Sequence, residues 1–295
     1  MQLTTDKHIL IVGLGLLGGS YAQKLSGEGF SVRAITRRQS SVDFALKKGW
    51  IEAGSVTPDP GLIAWADVAV LALYPHILIE WVAANGAHFK PGTVVTDVTG
   101  VKSAVVGRVQ ELLPNGVEFI AAHPMAGREV YGVENSDAGI FHGANYIVVP
   151  TERNTPEGIA LCRSLGERLG FAHISELTPE KHDRMIAYVS QLTHCIAVSL
   201  MTCNMDPHLQ DYTGDSFRDL TRIARINEEM WSELFRINKE ALIAQIDSFA
   251  GELHRIRTYL SDGNEEKLKE MMRISTERRA LFDKKTDNPT ESKGK

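Results

Sequence analysis

Cysteine is scarce in this chain of 295 residues, which contains only Cys162, Cys195 and Cys203. An odd number of cysteines without CxxC spacing predicts neither a disulfide framework nor a zinc site. Long basic runs are also missing, since 32 basic and 37 acidic residues are spread along the chain and give a net charge of −5. The composition therefore argues against a nucleic-acid partner and indicates reduced thiols in a cytoplasmic protein.

Apolar runs of membrane-spanning length are a further feature that we expect the sequence to lack. Residues 1–8 are polar and have no signal-peptide core, and we identify no apolar run long enough to cross a bilayer. The hydrophobic fraction of 43% and the charged fraction of 23% are ordinary for a soluble enzyme with room for two domains. We therefore expect a cytoplasmic protein without a membrane partner.

The first half of the chain alternates short apolar runs with helical patterns, which is typical of a parallel sheet with crossover helices. After Thr178 only helical periodicity follows. The sequence predicts an α/β protein with an N-terminal Rossmann-type dinucleotide-binding domain (1–177), an all-α C-terminal domain (178–283) and a disordered polar tail (284–295). The predicted strands are Ile9–Val12, Val32–Thr36, Val68–Leu73, Val94–Val98, Glu118–Ala122, Tyr146–Val149 and Phe171–Ile174, and the helices include His76–Ala84, Lys102–Leu113, Glu157–Leu169 and the apolar Pro179–Cys203.

A G-x-G-x-x-G segment follows the first predicted strand and opens a helix. Gly13 permits the tight turn, Gly15 lets backbone amides approach a pyrophosphate, and Gly18 allows close packing of the helix on the strand. The helix N-terminus adds partial positive charge for the phosphates. A purely structural turn is the alternative, but the strand and helix around the motif favour dinucleotide binding. The predicted cofactor contacts are Gly13, Leu14, Gly15, Leu16, Leu17 and Gly18.

The second predicted strand ends at Thr36, where NAD sites normally place an acid that bonds the ribose 2′-hydroxyl. Arg37 and Arg38 follow, and guanidinium groups match a 2′-phosphate through charge-assisted hydrogen bonds. Two solvated arginines on a loop are the alternative. The missing acid and the adjacent arginines favour NADP as the cofactor, with NAD as the second choice, and add Thr36, Arg37 and Arg38 to the cofactor site.

Two segments place polar groups where a substrate site is expected. His123 opens an H-P-M-A-G-R-E segment directly after a predicted strand, at the edge where parallel sheets bind ligands. Ser190, Gln191 and His194 interrupt the apolar helix, where buried polar groups indicate either a site or an internal network. A capping histidine before a proline turn is the structural alternative for His123.

A third segment combines a cap pattern with arginines. Ser216 and Asp219 resemble an N-capping arrangement, and Arg218, Arg222 and Arg225 then fall on one face of a predicted helix. Such a stripe is usually solvated surface, but it also suits a di-anionic ligand.

Together these segments resemble the prephenate/arogenate dehydrogenase family, often called TyrA. The family pattern H-P-M-A-G-x-E matches residues 123–129, S-x-L-x-H matches 190–194, and F-[RK]-D-x-[TS]-R-[IV] matches 217–223. The resemblance runs from the glycine loop at Gly13 to roughly Trp231 and covers most of the chain.

This resemblance implies a homodimeric enzyme of tyrosine biosynthesis that oxidatively decarboxylates prephenate to 4-hydroxyphenylpyruvate with hydride transfer to NADP or NAD. His123 is then the catalytic histidine that bonds the ring hydroxyl, and Arg222 binds a substrate carboxylate. The further substrate-binding positions that it implies are Ser190, His194, Arg218 and Trp231.

Two positions depart from the family pattern. The family's D-x-G-S-V-K segment has Gly100 in place of its serine, and we expect Thr99 to supply the hydroxyl instead. Tyr131 stands where the family often has a serine after the H-P-M-A-G-x-E segment.

Three alternatives stay open at this point. Arogenate, which carries an amino acid where prephenate carries a keto acid, is the alternative substrate. A β-hydroxyacid dehydrogenase or imine reductase would share the scaffold, but it would not need the H-P-M-A-G segment. A redox sensor that binds the cofactor without turnover is the alternative from another class.

Overall fold

The computed structural model describes residues 2–282, so the predicted tail of residues 284–295 lies outside the described residues. The expected fold class, an α/β nucleotide-binding part followed by helices, is confirmed. Contacts divide the chain into one compact unit that ends at Leu242 and a second that begins at Ile243. Every site residue predicted from the sequence belongs to the first unit.

The main sheet has six parallel strands in the order β3-β2-β1-β4-β5-β6. Its four inner strands are largely buried, which explains why they read as continuous apolar runs in the sequence. The short β3 was not predicted. The strands are β1 His8–Val12, β2 Ser31–Ile35, β3 Ala53–Ser55, β4 Val68–Leu71, β5 Val94–Asp97 and β6 Glu118–Phe119.

A second sheet of three strands contains the segment predicted to carry the substrate histidine. The single strand expected over residues 118–122 is wrong, because the chain leaves the main sheet after Phe119 and starts a new strand, β7, at Ala121–Met125. Strand β7 pairs antiparallel with β8 (Asn145–Val149), which pairs in parallel with β9 (His173–Glu176). His123 therefore lies within β7, opposite Ile147.

Twelve α-helices account for most of the described residues outside the two sheets. The start of α5 differs from its prediction: the helix begins at Val106 rather than at Lys102, and the N–H groups of Lys102 and Ser103 donate to the carboxylate of Asp183. The helices are α1 Leu16–Gly27, α2 Gln39–Lys47, α3 Pro60–Trp65, α4 Pro75–Asn85, α5 Val106–Leu112, α6 Pro156–Leu169, α7 Pro179–Ile186, α8 Thr193–Thr202, α9 Asp215–Thr221, α10 Glu228–Ile237, α11 Lys239–Ser261 and α12 Glu265–Ala280.

The long apolar helix forms as predicted, with one irregular turn. Thr178 caps α7 by accepting from the N–H of Lys181 at 3.3 Å, and Pro179 occupies the first turn. A π-helical turn, Ala187–Leu192, joins α7 to α8, and such turns are frequent at functional sites. By length and composition alone, Pro179–Thr202 is apolar enough to cross a membrane, so the expectation that no run reaches this length was wrong.

Candidate active site

The glycine loop at the carboxyl end of β1 forms a cradle for a pyrophosphate. Gly13 has a φ of +97°, and a β-carbon there would overlap the carbonyl oxygen of Ala72. A β-carbon on Gly18 would overlap the carbonyl of Gly13, whereas one on Gly15 would meet nothing within 4 Å. Gly15 therefore leaves open space in front of the N-terminus of α1, and the loop fits a dinucleotide.

The end of β2 lies beside this cradle. The hydroxyl of Thr36 accepts a hydrogen bond of 3.3 Å from the N–H of Leu14, so the residue in the acidic position supports the glycine loop. Arg37 and Arg38 follow at the start of α2 and are exposed. Neither forms an ion pair with another residue of the described chain. Two exposed arginines thus follow the strand end at which Rossmann-type domains recognise the 2′-substituent of the cofactor ribose.

His123 is half-buried in β7 and bonded to another histidine. Its Nδ1 lies 2.9 Å from Nε2 of the fully buried His182, and Nδ1 of His182 lies 2.8 Å from the carboxylate of Asp183. Burial, the neighbouring His182 and the charge of Lys102 together hold the pKa of His123 well below its usual range, with burial as the largest cause. His123 is therefore a neutral imidazole at neutral pH.

A buried ion pair fixes the backbone next to His123. Nζ of Lys102 lies 2.7 Å from the carboxylate of Asp97 and donates at 2.7 Å to the carbonyl of Ala122, the residue before His123. The other oxygen of Asp97 accepts from the N–H of Ala122 at 3.0 Å. Both charged side chains are fully buried, so the pair connects the end of β5 to β7 without solvent between them.

Two of the four residues between Asp97 and Lys102, namely Thr99 and Gly100, have different surroundings. The hydroxyl of Thr99 donates to Asp97 and accepts from Lys102 at 3.2 Å, so it belongs to the buried network. That it also supplies a hydroxyl beside His123 stays a prediction. At Gly100, a β-carbon would lie 3.9 Å from Cε1 of His123 and 3.7 Å from Leu234. Position 100 is therefore adjacent to the histidine ring.

The helical side of the site is formed by α8 and α10. His194 stacks on Trp231 with ring centroids 3.6 Å apart, and its Nδ1 donates at 2.9 Å to the carbonyl of Ser190 in the π-helical turn. The second nitrogen of His194 is left without a proton and can accept a hydrogen bond. Burial lowers the pKa of His194 and outweighs the hydrogen bond to Ser190 and the charge of Glu129, which act to raise it.

The arginines do not form the continuous stripe that the sequence predicted. Helix α9 has Gly214 rather than Ser216 at its N-cap and ends at Thr221, so only Arg218 lies on it. Arg222 begins a 3-10 turn and pairs with Glu129 of the loop after β7, while Arg218 lies 3.4 Å from Asp215. The predicted single face was wrong, because this contact between residues distant in sequence turns Arg222 towards the loop after His123.

The chain matches two family models in consecutive segments. Residues 21–175 match the nucleotide-binding domain of prephenate dehydrogenase, and residues 178–274 match its dimerization domain. The chain belongs to the prephenate dehydrogenase family. It is therefore an NAD(P)-dependent dehydrogenase of the group that acts on prephenate-type substrates.

Individual members of the prephenate dehydrogenase family resemble this chain over most of its length. The prephenate dehydrogenase of Bacillus subtilis is 29% identical over 88% of this chain and 72% of its own. The cyclohexadienyl dehydrogenase of Zymomonas mobilis is 28% identical over 97% and 99% of the two chains. A structure of Aquifex aeolicus prephenate dehydrogenase with hydroxyphenyl propionate and NAD+ is 27% identical, covers 96% of this chain and 100% of its own, and has a TM-score of 0.86.

The motif residues converge in this member of the family, and the structure adds residues that the sequence did not single out. Helix α10 brings Trp231 to His194 and Leu234 to position 100, and the carbonyl of Leu234 accepts from Gln191 at 3.1 Å. The missed residues are Asp97, Lys102, His182 and Asp183. The last two belong to a run of five ionisable residues, 180–184, so nothing in the local sequence distinguished them from a solvated helix turn.

Proposed function

We propose that the chain is a prephenate dehydrogenase that converts prephenate to 4-hydroxyphenylpyruvate and CO2 in tyrosine biosynthesis, with NADP as hydride acceptor. The observation that supports this most directly is the neutral His123, half-buried in strand β7 and hydrogen-bonded, among the described residues, through Nδ1 only. Its other nitrogen, Nε2, is available to a ring hydroxyl. A neutral imidazole at that position suits general base catalysis near neutral pH.

In the proposed reaction His123 removes the proton of the ring hydroxyl, and the nicotinamide cofactor would accept the hydride. The O–H bond breaks as an N–H bond forms at Nε2, and the oxygen lone pair forms the C=O bond as hydride leaves the same carbon. Cleavage of the bond to the ring carboxylate then releases CO2, and its electron pair restores the aromatic ring. The phenolate oxygen takes the proton back from His123, so the base is regenerated and no proton is released overall.

The arginines orient the acid for this step. The side chain of Arg222 is 65% exposed, and Glu129 is the acid with which it pairs among the described residues. We expect a substrate carboxylate to displace Glu129 from this guanidinium, since both are carboxylates that match its geometry. Arg218, Ser190, His194 and Trp231 complete the proposed substrate contacts. Groups of this kind contribute mainly by orientation.

The residues at the end of β2 are the reason for proposing NADP rather than NAD. Thr36 presents no carboxylate to a ribose 2′-hydroxyl, and its hydroxyl already accepts from Leu14. Arg37 and Arg38 are exposed next to it and favour a 2′-phosphate. Residues 13–18 of the glycine loop would hold the pyrophosphate.

A cytoplasmic homodimer is proposed as the working form, with the domains divided at residues 177 and 178. The match to a dimerization domain over residues 178–274 supports self-association through the helical part. Large apolar side chains along the long helix are also exposed in the single chain, among them Tyr188 (58%), Val189 (52%) and Met201 (46%). Covering them in a dimer would remove this apolar surface from water.

The test is steady-state formation of NADPH and NADH with prephenate and with arogenate, in all four pairings. Strong turnover of prephenate with NADP supports the proposal. Faster turnover of arogenate would show that arogenate, not prephenate, is the substrate, and the proposed oxidative decarboxylation would still hold. Absence of turnover in all four pairings would overturn the proposed activity and favour a cofactor-binding role without catalysis.

A further inference from the structure

Three side chains form a hydrogen-bonded row that ends at the proposed base. Nδ1 of His123 and Nε2 of His182 are 2.9 Å apart, and Nδ1 of His182 and Oδ1 of Asp183 are 2.8 Å apart. The two imidazole rings have centroids 5.1 Å apart and planes inclined at 57°. His182 and Asp183 are adjacent in α7, so one helical turn supplies both partners of a strand residue 59 positions earlier in the sequence.

The carboxylate at the end of the row is held as an acceptor. Its Oδ1 accepts from the N–H of Lys102 and its Oδ2 from the N–H of Ser103, each at 2.8 Å. Burial acts to raise the pKa of Asp183, but the hydrogen bonds from His182 and Ser103 outweigh it and leave this pKa lowered. An ionised carboxylate cannot donate, so the proton between Asp183 and His182 resides on Nδ1 of His182.

The proton positions on His182 and His123 follow from the ionised state of Asp183. Neutral His182 has a proton on Nδ1 only, and its Nε2 is therefore an acceptor. Burial, with Lys102 as a lesser contributor, keeps the pKa of His182 below its usual value despite Asp183. The 2.9 Å contact then requires His123 to donate through Nδ1, which leaves Nε2 of His123 without a proton.

We propose that His182 and Asp183 are positioning residues that hold His123 in the one neutral tautomer able to act as a base at Nε2. This inference rests on the base role proposed for His123. When Nε2 takes the hydroxyl proton, Nδ1–H of His123 stays bonded to His182, and the negative charge of Asp183 lies at the far end of the row. No proton moves along the row, which acts through orientation and charge.

Three variants separate this role from simple packing. Asp183→Asn replaces the ionised acceptor with a neutral amide of the same size, which weakens the preference of His182 for a proton on Nδ1. His182→Leu removes the acceptor, whereas His182→Gln retains an amide oxygen that can accept from His123. We expect kcat to fall about 10²-fold in Asp183→Asn and His182→Leu, and by less than about tenfold in His182→Gln, with KM for the acid changed by less than about threefold. Lys181→Ala, an exposed neighbour on α7, is the matched control and should retain wild-type kcat.

The second measurement reads the tautomer directly in the ligand-free wild-type enzyme. Long-range ¹H–¹⁵N correlation spectra of histidine-labelled protein distinguish a protonated Nδ1 from a protonated Nε2, and loss of one set of signals in His123→Asn assigns the ring. We expect His123 to carry its proton on Nδ1 in the wild type and to shift towards Nε2 in Asp183→Asn. A wild-type His123 protonated on Nε2 would overturn the inference, as would folded His182→Leu with kcat within threefold of wild type.

The two proposals fail in different ways. Absence of turnover by the wild type with every substrate and cofactor pairing overturns the proposed reaction, while the spectrum still reports the tautomer of His123. Normal turnover with an unfavourable tautomer, or with an unaffected His182→Leu variant, leaves the reaction in place and removes only the positioning role. Thermal unfolding of each variant identifies any that fail to fold, and for those the wild-type spectrum decides.

Discussion

Gly100 lies directly against the ring of His123, since a β-carbon at residue 100 would be 3.9 Å from Cε1 of the histidine. That separation is an ordinary van der Waals contact, and the other close neighbour, Leu234, is at 3.7 Å. A small side chain therefore fits at this position without displacing its neighbours. Because the family pattern carries serine there, the position offers a direct way to add a hydroxyl beside the base.

The first prediction concerns this position. Gly100→Ser should fold as the wild type does and raise kcat/KM by up to about tenfold, since one well-placed hydrogen bond in the transition state is worth about 1.4 kcal/mol. Gly100→Ala is the matched control, because it adds the β-carbon without the hydroxyl and should leave kcat/KM nearly unchanged. Equal effects of serine and alanine would show that bulk rather than the hydroxyl matters.

The second prediction is the pH dependence of turnover. His123 must be neutral to accept a proton, and its pKa is lowered from 6.5 by burial, by His182 and by Lys102. Activity should therefore persist as the pH falls below 6.5, and kcat/KM should decline only at lower pH, when the folded enzyme takes up the proton. The charged and titratable groups around the ring are His182, Asp183, Lys102 and Asp97. An acid limb with its midpoint at or above pH 6.5 would contradict the assignment.

Removal of the imidazole is the control for this pH dependence. His123→Asn should lower kcat by about 10²–10⁴-fold, the usual contribution of general base catalysis. The variant should also lose the acid limb of the pH profile, because that limb reports the titration of the missing ring. Near wild-type kcat in His123→Asn would show that another group removes the proton.

The third prediction concerns the ion pair of Arg222 with Glu129. Arg222→Ala should raise KM for the acid at least tenfold with a smaller change in kcat, because it removes binding that substrate and transition state share. Glu129→Gln should instead leave KM unchanged or lower it, since the neutral amide competes less well with a substrate carboxylate for the guanidinium. Arg108→Ala, which disrupts an exposed pair with Glu111, is the control for a general charge effect.

The fourth prediction concerns the residues at the end of β2 that would distinguish NADP from NAD. Arg37→Ala should raise KM for NADP several-fold and leave KM for NAD nearly unchanged, because only NADP carries the 2′-phosphate. Thr36→Asp should improve the use of NAD, and its carboxylate can still accept from the N–H of Leu14. Equal losses for both cofactors in Arg37→Ala would show that the arginine does not read the 2′-position.

The sequence predicted the parts of this protein that depend on local pattern. Strand β1, the glycine loop and α1 follow from a short apolar run and the glycines after it, and the start of the helical part follows from the change in periodicity after Thr178. The break between β6 and β7 could not be predicted, because Ile120 and Ala121 continue the apolar run without a turn residue. An apolar run indicates burial but not the sheet to which a strand belongs, and residues 119–122 of β6 and β7 are all buried.

The remaining misses come from contacts between residues far apart in the sequence. The contact of His123 with His182 joins residues 59 positions apart, and the pairing of Arg222 with Glu129 joins residues 93 positions apart. In neither pairing does the sequence around one residue indicate which residue it contacts. His123, His194 and Arg222 were found because each lies in one of the three family motifs, whereas His182 and Asp183 lie in none of them.

The last prediction concerns the buried pair of Lys102 and Asp97. Lys102→Met should lower the free energy of unfolding by about 3 kcal/mol, because it leaves the carboxylate of Asp97 buried without its cation. The loss should lie at the lower end of the usual range, since the N–H groups of Thr99 and Ala122 still donate to Asp97. Urea unfolding at neutral pH measures the change. Lys269→Met, which removes an exposed pair with Glu265, is the control and should cost less than about 1 kcal/mol. Equal losses in the two variants would show that burial adds nothing to the pair, and β7 would then be held beside β5 by its backbone contacts alone.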